Sequence, residues 1–245
     1  MNGLVELERP LGDLAQLTQL GQRYRAAQPI PHCRIDGLVS DELLDHVVEE
    51  FPKPGDGTWN RVADSEYSQK KMISKAIDRQ LGPYTKYLVS QLSSPTFLEA
   101  LEALTGIKGL IPDPYLFAAG LHQIESGGFL EIHSDFASHP KLHLCRRINL
   151  LLYLNRDWAE EYQGSLEFWD GRMERCVVKY PPIWNRMLIH NVTARAYHGF
   201  VTPIQCPPHM TRKSLAIWYW TSRRPRTEVM DYWLHRPDWM KRPAK

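Results

Sequence analysis

The chain has 245 residues, 43% hydrophobic and 24% charged, with a net charge of +2 at pH 7. This is ordinary globular composition, and the near balance of charge points to no nucleic-acid partner. Cys33, Cys145, Cys176 and Cys206 are scattered without a C-x-x-C pair, which fits free thiols in a reducing compartment better than a disulfide framework or a zinc ribbon. The N-terminus carries Glu6 and Glu8 and no long apolar run, and no apolar segment is long enough to span a bilayer. The expectation is a soluble, cytoplasmic protein with no membrane partner, in which the sequon at Asn191 has no meaning.

Leu11, Leu14, Leu17 and Leu20 recur at helical spacing, so the first element is a helix with one apolar stripe, ended by Pro29-Ile30-Pro31. A short strand follows over 32–35. Ser40 stands as an N-cap, with Asp41 and Glu42 in the first turn and Leu43, Leu44, Val47 and Val48 behind, and this helix stops at Phe51-Pro52. Residues 52–66 read as a loop whose length makes it either mobile or functional. Helical patterns return over about 71–92, with a break at Gly82-Pro83, and over 95–104, opened by Ser94 and closed near Gly106.

The character changes near Pro112. Runs of β-branched and aromatic residues predict strands over 116–124, 147–154, 165–169, 176–180, 187–190, 197–201 and 215–221. Ser126-Gly127-Gly128, Gln163-Gly164 and Asp170-Gly171 read as turns between them. Many short strands at such spacing predict a β-sandwich or barrel. A helix-rich part over about 1–111, a β-rich core over about 112–222 and a short tail make an α+β arrangement, with the helices buttressing one sheet. With no flexible linker between the parts, we expect one domain over 1–245.

The chemistry-bearing residues lie in the β-rich part. His133 and Asp135 are spaced H-x-D, and in extended chain such side chains share a face, so an imidazole nitrogen and a carboxylate oxygen reach one point. They are two members of a 2-His-1-carboxylate facial triad, which holds Fe(II) and leaves three coordination positions open. Downstream, Tyr197-His198-Gly199 supplies a second histidine on a predicted strand. Arg212 and Ser214 then share a face at the head of the next one. A guanidinium fork with a neighbouring hydroxyl suits a carboxylate. A rival cluster also exists: were the segment after Asp135 helical, His139 and His143 could join Asp135 in a zinc site, although Pro140 argues against a regular helix there. His122 and His190 read as structural or pocket-lining, His209 as a loop residue, and the tryptophans as core.

In this order, His133-x-Asp135, His198 and Arg212-x-Ser214, the sequence resembles the Fe(II)- and 2-oxoglutarate-dependent oxygenase superfamily, and within it the prolyl-4-hydroxylase-like branch. Arg147-Ile-Asn-Leu-Leu-Leu-Tyr-Leu-Asn155, the Gly164-x-Leu-Glu segment and the entry Pro31-His-Cys-Arg-Ile-Asp36 are also similar to that branch, and the resemblance covers roughly 29–225. It implies a double-stranded β-helix, a jelly-roll core whose mouth holds the metal. It further implies Fe(II) on His133, Asp135 and His198, 2-oxoglutarate held by Arg212 with Ser214 and Tyr153 nearby, and O2 as the second cosubstrate, with ascorbate as a stimulant. Three residues before the first histidine, where the branch often has an aromatic residue, this chain has Leu130. That argues against carrying over a peptidyl-prolyl substrate.

The implied reaction is hydroxylation of an unactivated C–H bond in a small-molecule or amino-acid-type substrate, with release of succinate and CO2. Desaturation or ring closure would use the same site. A carboxylate at Asp135 fills the position that halogenating members leave for chloride. The loop at 52–66 and the segment 137–144 are the expected substrate contacts. A zinc-dependent hydrolase built on His139 and His143, or a non-catalytic metal-binding sensor, are the alternatives.

Overall fold

The computed structural model describes residues 14–53, 59–61, 68–74, 81–225, 228 and 238–239. Helix α1 runs over Leu14–Ala26 and is followed by strand β1 (His32–Asp36) and helix α2 (Asp41–Glu49). Ser40 caps α2 as expected, its side chain accepting from the Leu43 amide at 3.3 Å, and Leu43, Leu44 and Val47 are buried. Strands β2 (Trp59–Arg61) and β3 (Ser68–Ser74) come next, then helices α3 (Pro83–Leu92) and α4 (Pro95–Thr105). The exposed start of α3 is capped from outside: the Glu50 carboxylate accepts the Tyr84 and Thr85 amides at 2.9 and 2.8 Å. Ser94 caps α4, and Gly106 ends it in a left-handed conformation, φ +77°, that a side chain would resist.

The remaining strands are β4 (Ile111–Pro112), β5 (Gly120–Ser134), β6 (Cys145–Tyr153), β7 (Leu166–Trp169), β8 (Cys176–Tyr180), β9 (Arg186–Asn191), β10 (His198–Phe200), β11 (Arg212–Thr221) and β12 (Asp238–Trp239). They form one antiparallel sheet in the order β1-β9-β6-β11-β5-β10-β7-β8, with β3 and β12 also pairing β5. The sheet curls back on itself. His32, on the β1 end, lies with its ring centroid 4.9 Å from Phe168 on β7 and its Nε2 2.8 Å from the Tyr180 hydroxyl on β8. This is the jelly-roll core expected from the sequence, with the helices on its outer face.

Alternation along the central strands sorts the two faces. Ile148, Leu150, Leu152 and Leu154 of the β6 segment join Leu215, Ile217 and Tyr219 of β11 in the main core beneath the helices. The Tyr219 hydroxyl donates to the Leu92 carbonyl at 2.8 Å, tying β11 to α3. Asn149, Leu151 and Tyr153, with Arg212, Ser214 and Trp218, are left for the inner face of the roll.

Several boundaries differ from expectation. The chain from Lys71 to Ser74 is strand rather than helix, because β3 pairs with both β2 and β5, and pairing partners distant in sequence override local propensity. Residues 54–58, 62–67 and 75–80 lie outside the described residues, so the substrate-contact role expected of 52–66 falls mostly outside them. Within that span, Trp59 is buried and its indole donates to the Lys53 carbonyl at 2.9 Å. The strand expected from 116 starts at 120. Asp113 takes the Tyr115 and Phe117 amides at 2.8 and 2.7 Å and folds that stretch into a side-chain-built turn. Ser126-Gly127-Gly128 is not a turn, and β5 runs through it. Gly127 donates to the Ile204 carbonyl and the Ile204 amide to Gly128, at 2.7 and 2.9 Å, so a loop distant in sequence supplies the pairing.

Candidate metal centre

His133 is the penultimate residue of β5, Asp135 follows directly after the strand, and His198 opens β10 opposite His133 in the antiparallel register. Each histidine turns its Nδ1 toward the carbonyl two residues back, His133 to Glu131 at 2.9 Å and His198 to Ala196 at 2.8 Å. A carbonyl only accepts, so the proton sits on Nδ1 and the Nε2 lone pair is directed outward. Both Nε2 atoms face Asp135, at 3.7 Å from Oδ1 for His133 and 3.5 Å from Oδ2 for His198. The ligand atoms of the three residues all lie within 4.8 Å of one another. Among the described residues this is the single such group of histidine, cysteine and carboxylate side chains.

The rival cluster does not assemble. His139 is buried with its Nε2 3.3 Å from Asp113, and its Nδ1 accepts the Lys141 and Leu142 amides at 3.1 Å each. His143 is exposed, with φ +54° in a turn, so no helix forms to present the two together.

Behind the triad sits Arg146, which next to Arg147 in the sequence reads as part of a solvated basic surface; both are buried instead. Arg146 is buried with Nη1 3.4 Å from Asp135 Oδ1, its guanidinium stacked between Trp218 and Phe136 at 3.9 and 4.5 Å from their ring centroids. Regular alternation from Asn149 would point Arg146 outward. The β6–β11 register slips there, pairing Trp220 with Arg146 and skipping Arg147, and this bulge turns Arg146 inward. Burial pushes the Asp135 carboxyl up, but Arg146 and then His198, His133 and His190 outweigh it and hold Asp135 well below the usual carboxylate range. Burial lowers Arg146 to about 10 against the pull of Asp135. His190, fully buried, is kept neutral chiefly by its burial and then by His198.

Arg212 enters the same interior from β11 and is 6% exposed. Its Nε donates to the Gly164 carbonyl at 2.7 Å and its Nη2 to the Tyr153 hydroxyl at 3.1 Å, with its charge over the Phe200 and Tyr153 rings. No carboxylate among the described residues pairs with it, and burial lowers its pKa. A buried cation without a counter-charge is a costly arrangement in an isolated protein and a natural one around an anionic ligand. Ser214 is buried on the Arg212 face, opposite Tyr153 in the strand register. Lys179 and Arg186, the other basic residues for such a ligand, are engaged elsewhere, with Glu167 at 3.0 Å and with Asp36 through two 2.8 Å bonds.

This geometry can be set beside known proteins. The 2OG-Fe(II) oxygenase superfamily model matches residues 119–220, a span that includes His133, Asp135, Arg146, Tyr153, His198, Arg212 and Ser214. Among solved structures, a Pseudomonas putida prolyl-4-hydroxylase is similar with a TM-score of 0.56 and 14% identity, over 84% of this chain and 98% of that one. A Trichoplax adhaerens prolyl hydroxylase, solved with a hypoxia-inducible-factor peptide fragment, gives 0.57 and 16% over 84% and 91%. The epimerase SnoN, solved with Fe3+, α-ketoglutarate and nogalamycin RO, gives 0.59 and 17% over 85% of each chain. No curated protein matches the chain.

The residues present fit what a 2OG-Fe(II) oxygenase binds. Two imidazoles have their Nε2 lone pairs fixed by backbone carbonyls, a carboxylate is held ionised between them, and a buried arginine has no carboxylate partner among the described residues. No helix in the described residues is long and apolar enough to cross a membrane.

Proposed function

We propose that the protein is an Fe(II)- and 2-oxoglutarate-dependent hydroxylase acting on a small-molecule or amino-acid-type substrate. The observation that carries this reading is the convergence of His133, Asp135 and His198 on one point, with buried Arg212 in the same interior. His133, Asp135 and His198 hold Fe(II). Arg212 grips the far carboxylate of 2-oxoglutarate, aimed by the Gly164 carbonyl on its Nε. Tyr153 accepts from Arg212 and so keeps its own hydroxyl hydrogen for the same carboxylate. Ser214 lies on that face as a further donor. Fe(II) with 2-oxoglutarate and O2 supplies the oxidation that turns an unactivated C–H into C–OH, with succinate and CO2 released. The chain's own task is to hold these parts in register and keep water from them, which the packing of Tyr153, Phe168 and Phe200 around the polar groups favours.

Leu130, three residues before His133, and the small-molecule complex of SnoN favour a free small molecule over a peptide. The test is anaerobic addition of Fe(II) and then 2-oxoglutarate. A visible charge-transfer band that needs both, followed by succinate formation in air, is the expected result. Tightly held zinc and no response to 2-oxoglutarate would point instead to a hydrolase. A band without succinate, even with a metabolite panel present, would point to a sensor. SnoN is an epimerase, so product analysis by mass decides between oxygen insertion and a change of stereochemistry alone.

A further inference from the structure

Asn149 joins the charged groups behind the metal ligands. It lies on the inner face of β6 and is 1% exposed. Its Oδ1 accepts from Arg146 Nε at 2.8 Å, while its Nδ2 lies 2.6 Å from Asp135 Oδ2 and 3.2 Å from His190 Nε2. His190 turns Nδ1 to the Asn191 carbonyl at 3.1 Å, so its proton is on Nδ1 and its Nε2 accepts. The carboxamide orientation follows, with its oxygen on a donor and its nitrogen on two acceptors. No polar atom of Asn149 is left over.

The two oxygens of Asp135 are therefore unequal. Oδ2 receives the 2.6 Å bond from Asn149, whereas the arginine partner of Oδ1 stands off at 3.4 Å. We propose that Asn149 is a positioning residue: by holding Oδ2 it fixes which oxygen of Asp135 is offered to the metal and keeps the carboxylate a one-oxygen ligand. This rests on the reading of His133, Asp135 and His198 as metal ligands. A carboxylate free to turn would bring both oxygens to the metal and occupy one of the three positions a facial triad leaves open. Arg146 and His190 support Asn149, the first by anchoring its oxygen and the second by using up its other N–H.

The test uses Co(II) as a probe with the 245-residue chain. Asn149→Val keeps a strand-favouring shape and removes the donor, and Asn149→Thr restores a hydroxyl on nearly the same shape. Urea unfolding of the metal-free proteins checks that both fold. The expected result is a ten- to hundred-fold loss of Co(II) affinity in Asn149→Val, an altered Co(II) absorption spectrum, and partial recovery of both in Asn149→Thr. A folded Asn149→Val that matches the wild type in affinity and spectrum overturns the proposal, as does a Thr variant no better than Val. A measurement on the wild type stands independently of the variants. The Asn149 side-chain amide protons should resist exchange with solvent and shift when Zn(II) is added, and free exchange with no response to Zn(II) overturns the proposal. Failure of the wild type to take up Co(II) overturns the triad reading and this proposal together, whereas wild-type uptake with an indifferent Asn149→Val sinks this proposal alone.

Discussion

Arg212 and Tyr153 form a buried couple in which each side chain settles the other's hydrogen bonding. A hydrogen bond to a charged group contributes about 1.5–3 kcal/mol, and each 1.4 kcal/mol is about tenfold in affinity. Arg212→Ala is therefore expected to weaken 2-oxoglutarate binding by roughly ten- to a hundred-fold while Fe(II) loading stays unchanged. Tyr153→Phe, losing one partner of that carboxylate, should weaken it by about tenfold. Arg212→Lys falls between, since it keeps the charge and gives up the fork. Anaerobic titration of the Fe(II) protein with 2-oxoglutarate reads all three, and unchanged affinity in Arg212→Ala would remove this residue from the cosubstrate site. The candidate ligands were legible in the sequence because a strand's period of two converts H-x-D and R-x-S into shared faces. Arg146 and Asn149 were not. Arg146 faces inward only because of a bulge, which no periodicity records. Asn149 did leave a signal, a lone amide in the apolar run Ile148 to Tyr153, and a buried amide must find partners.

At the scale of elements, β10 is only three residues long, yet it sets the distance between the two histidines. Gly199 lets it lie close. A Cβ there would stand 2.5 Å from the Glu131 carbonyl oxygen and 2.7 Å from that of Leu130, both backbone atoms of β5 that cannot swing aside. Gly199→Ala should thus push β10 off β5, destabilise the fold by about 1–3 kcal/mol and weaken metal uptake by moving His198 away from His133. Urea unfolding of the metal-free protein and a Co(II) titration measure the two effects, and a variant unchanged in both would show that β5 yields there. The helices capped by Ser40 and Ser94 were readable because caps are local chemistry. Strand β3 was not, since its pairing with β5 depends on residues some fifty positions away.

For the whole molecule, the buried histidines and thiols bound the pH range of stability. Burial is the main cause that lowers His32 and His190, the latter well below 6.5. In the unfolded chain both take up a proton near pH 6.5, whereas the folded chain resists it. Stability is thus present above that value and falls as pH drops through about 6.5, by up to about 1.4 kcal/mol per pH unit for each histidine. On the alkaline side burial pushes Cys33 up to about 12. The unfolded chain then releases that proton first, and stability falls as pH rises past the ordinary thiol value of about 8.5. Urea unfolding of the metal-free protein at pH 5.5, 7.5 and 9.5 should give its largest free energy at 7.5. A flat acid limb would mean that His32 and His190 accept protons while folded.

Strand β11 is late in the sequence and central in space, lying between β6 and β5 and against the helices. Order of synthesis and order of assembly therefore conflict. A growing chain that has not yet emerged past residue 221 carries two long strands with open edges facing each other across an empty slot, a configuration prone to pairing with other chains. Closing that slot joins segments far apart along the chain, which makes folding slow for its size. It also delivers Arg212 and the last wall of the roll in one event. In refolding followed by hydrogen exchange, the amides of β5 and β6 should become protected together with those of β11, so that the cell receives either an unclosed sheet in need of a chaperone or a pocket already complete.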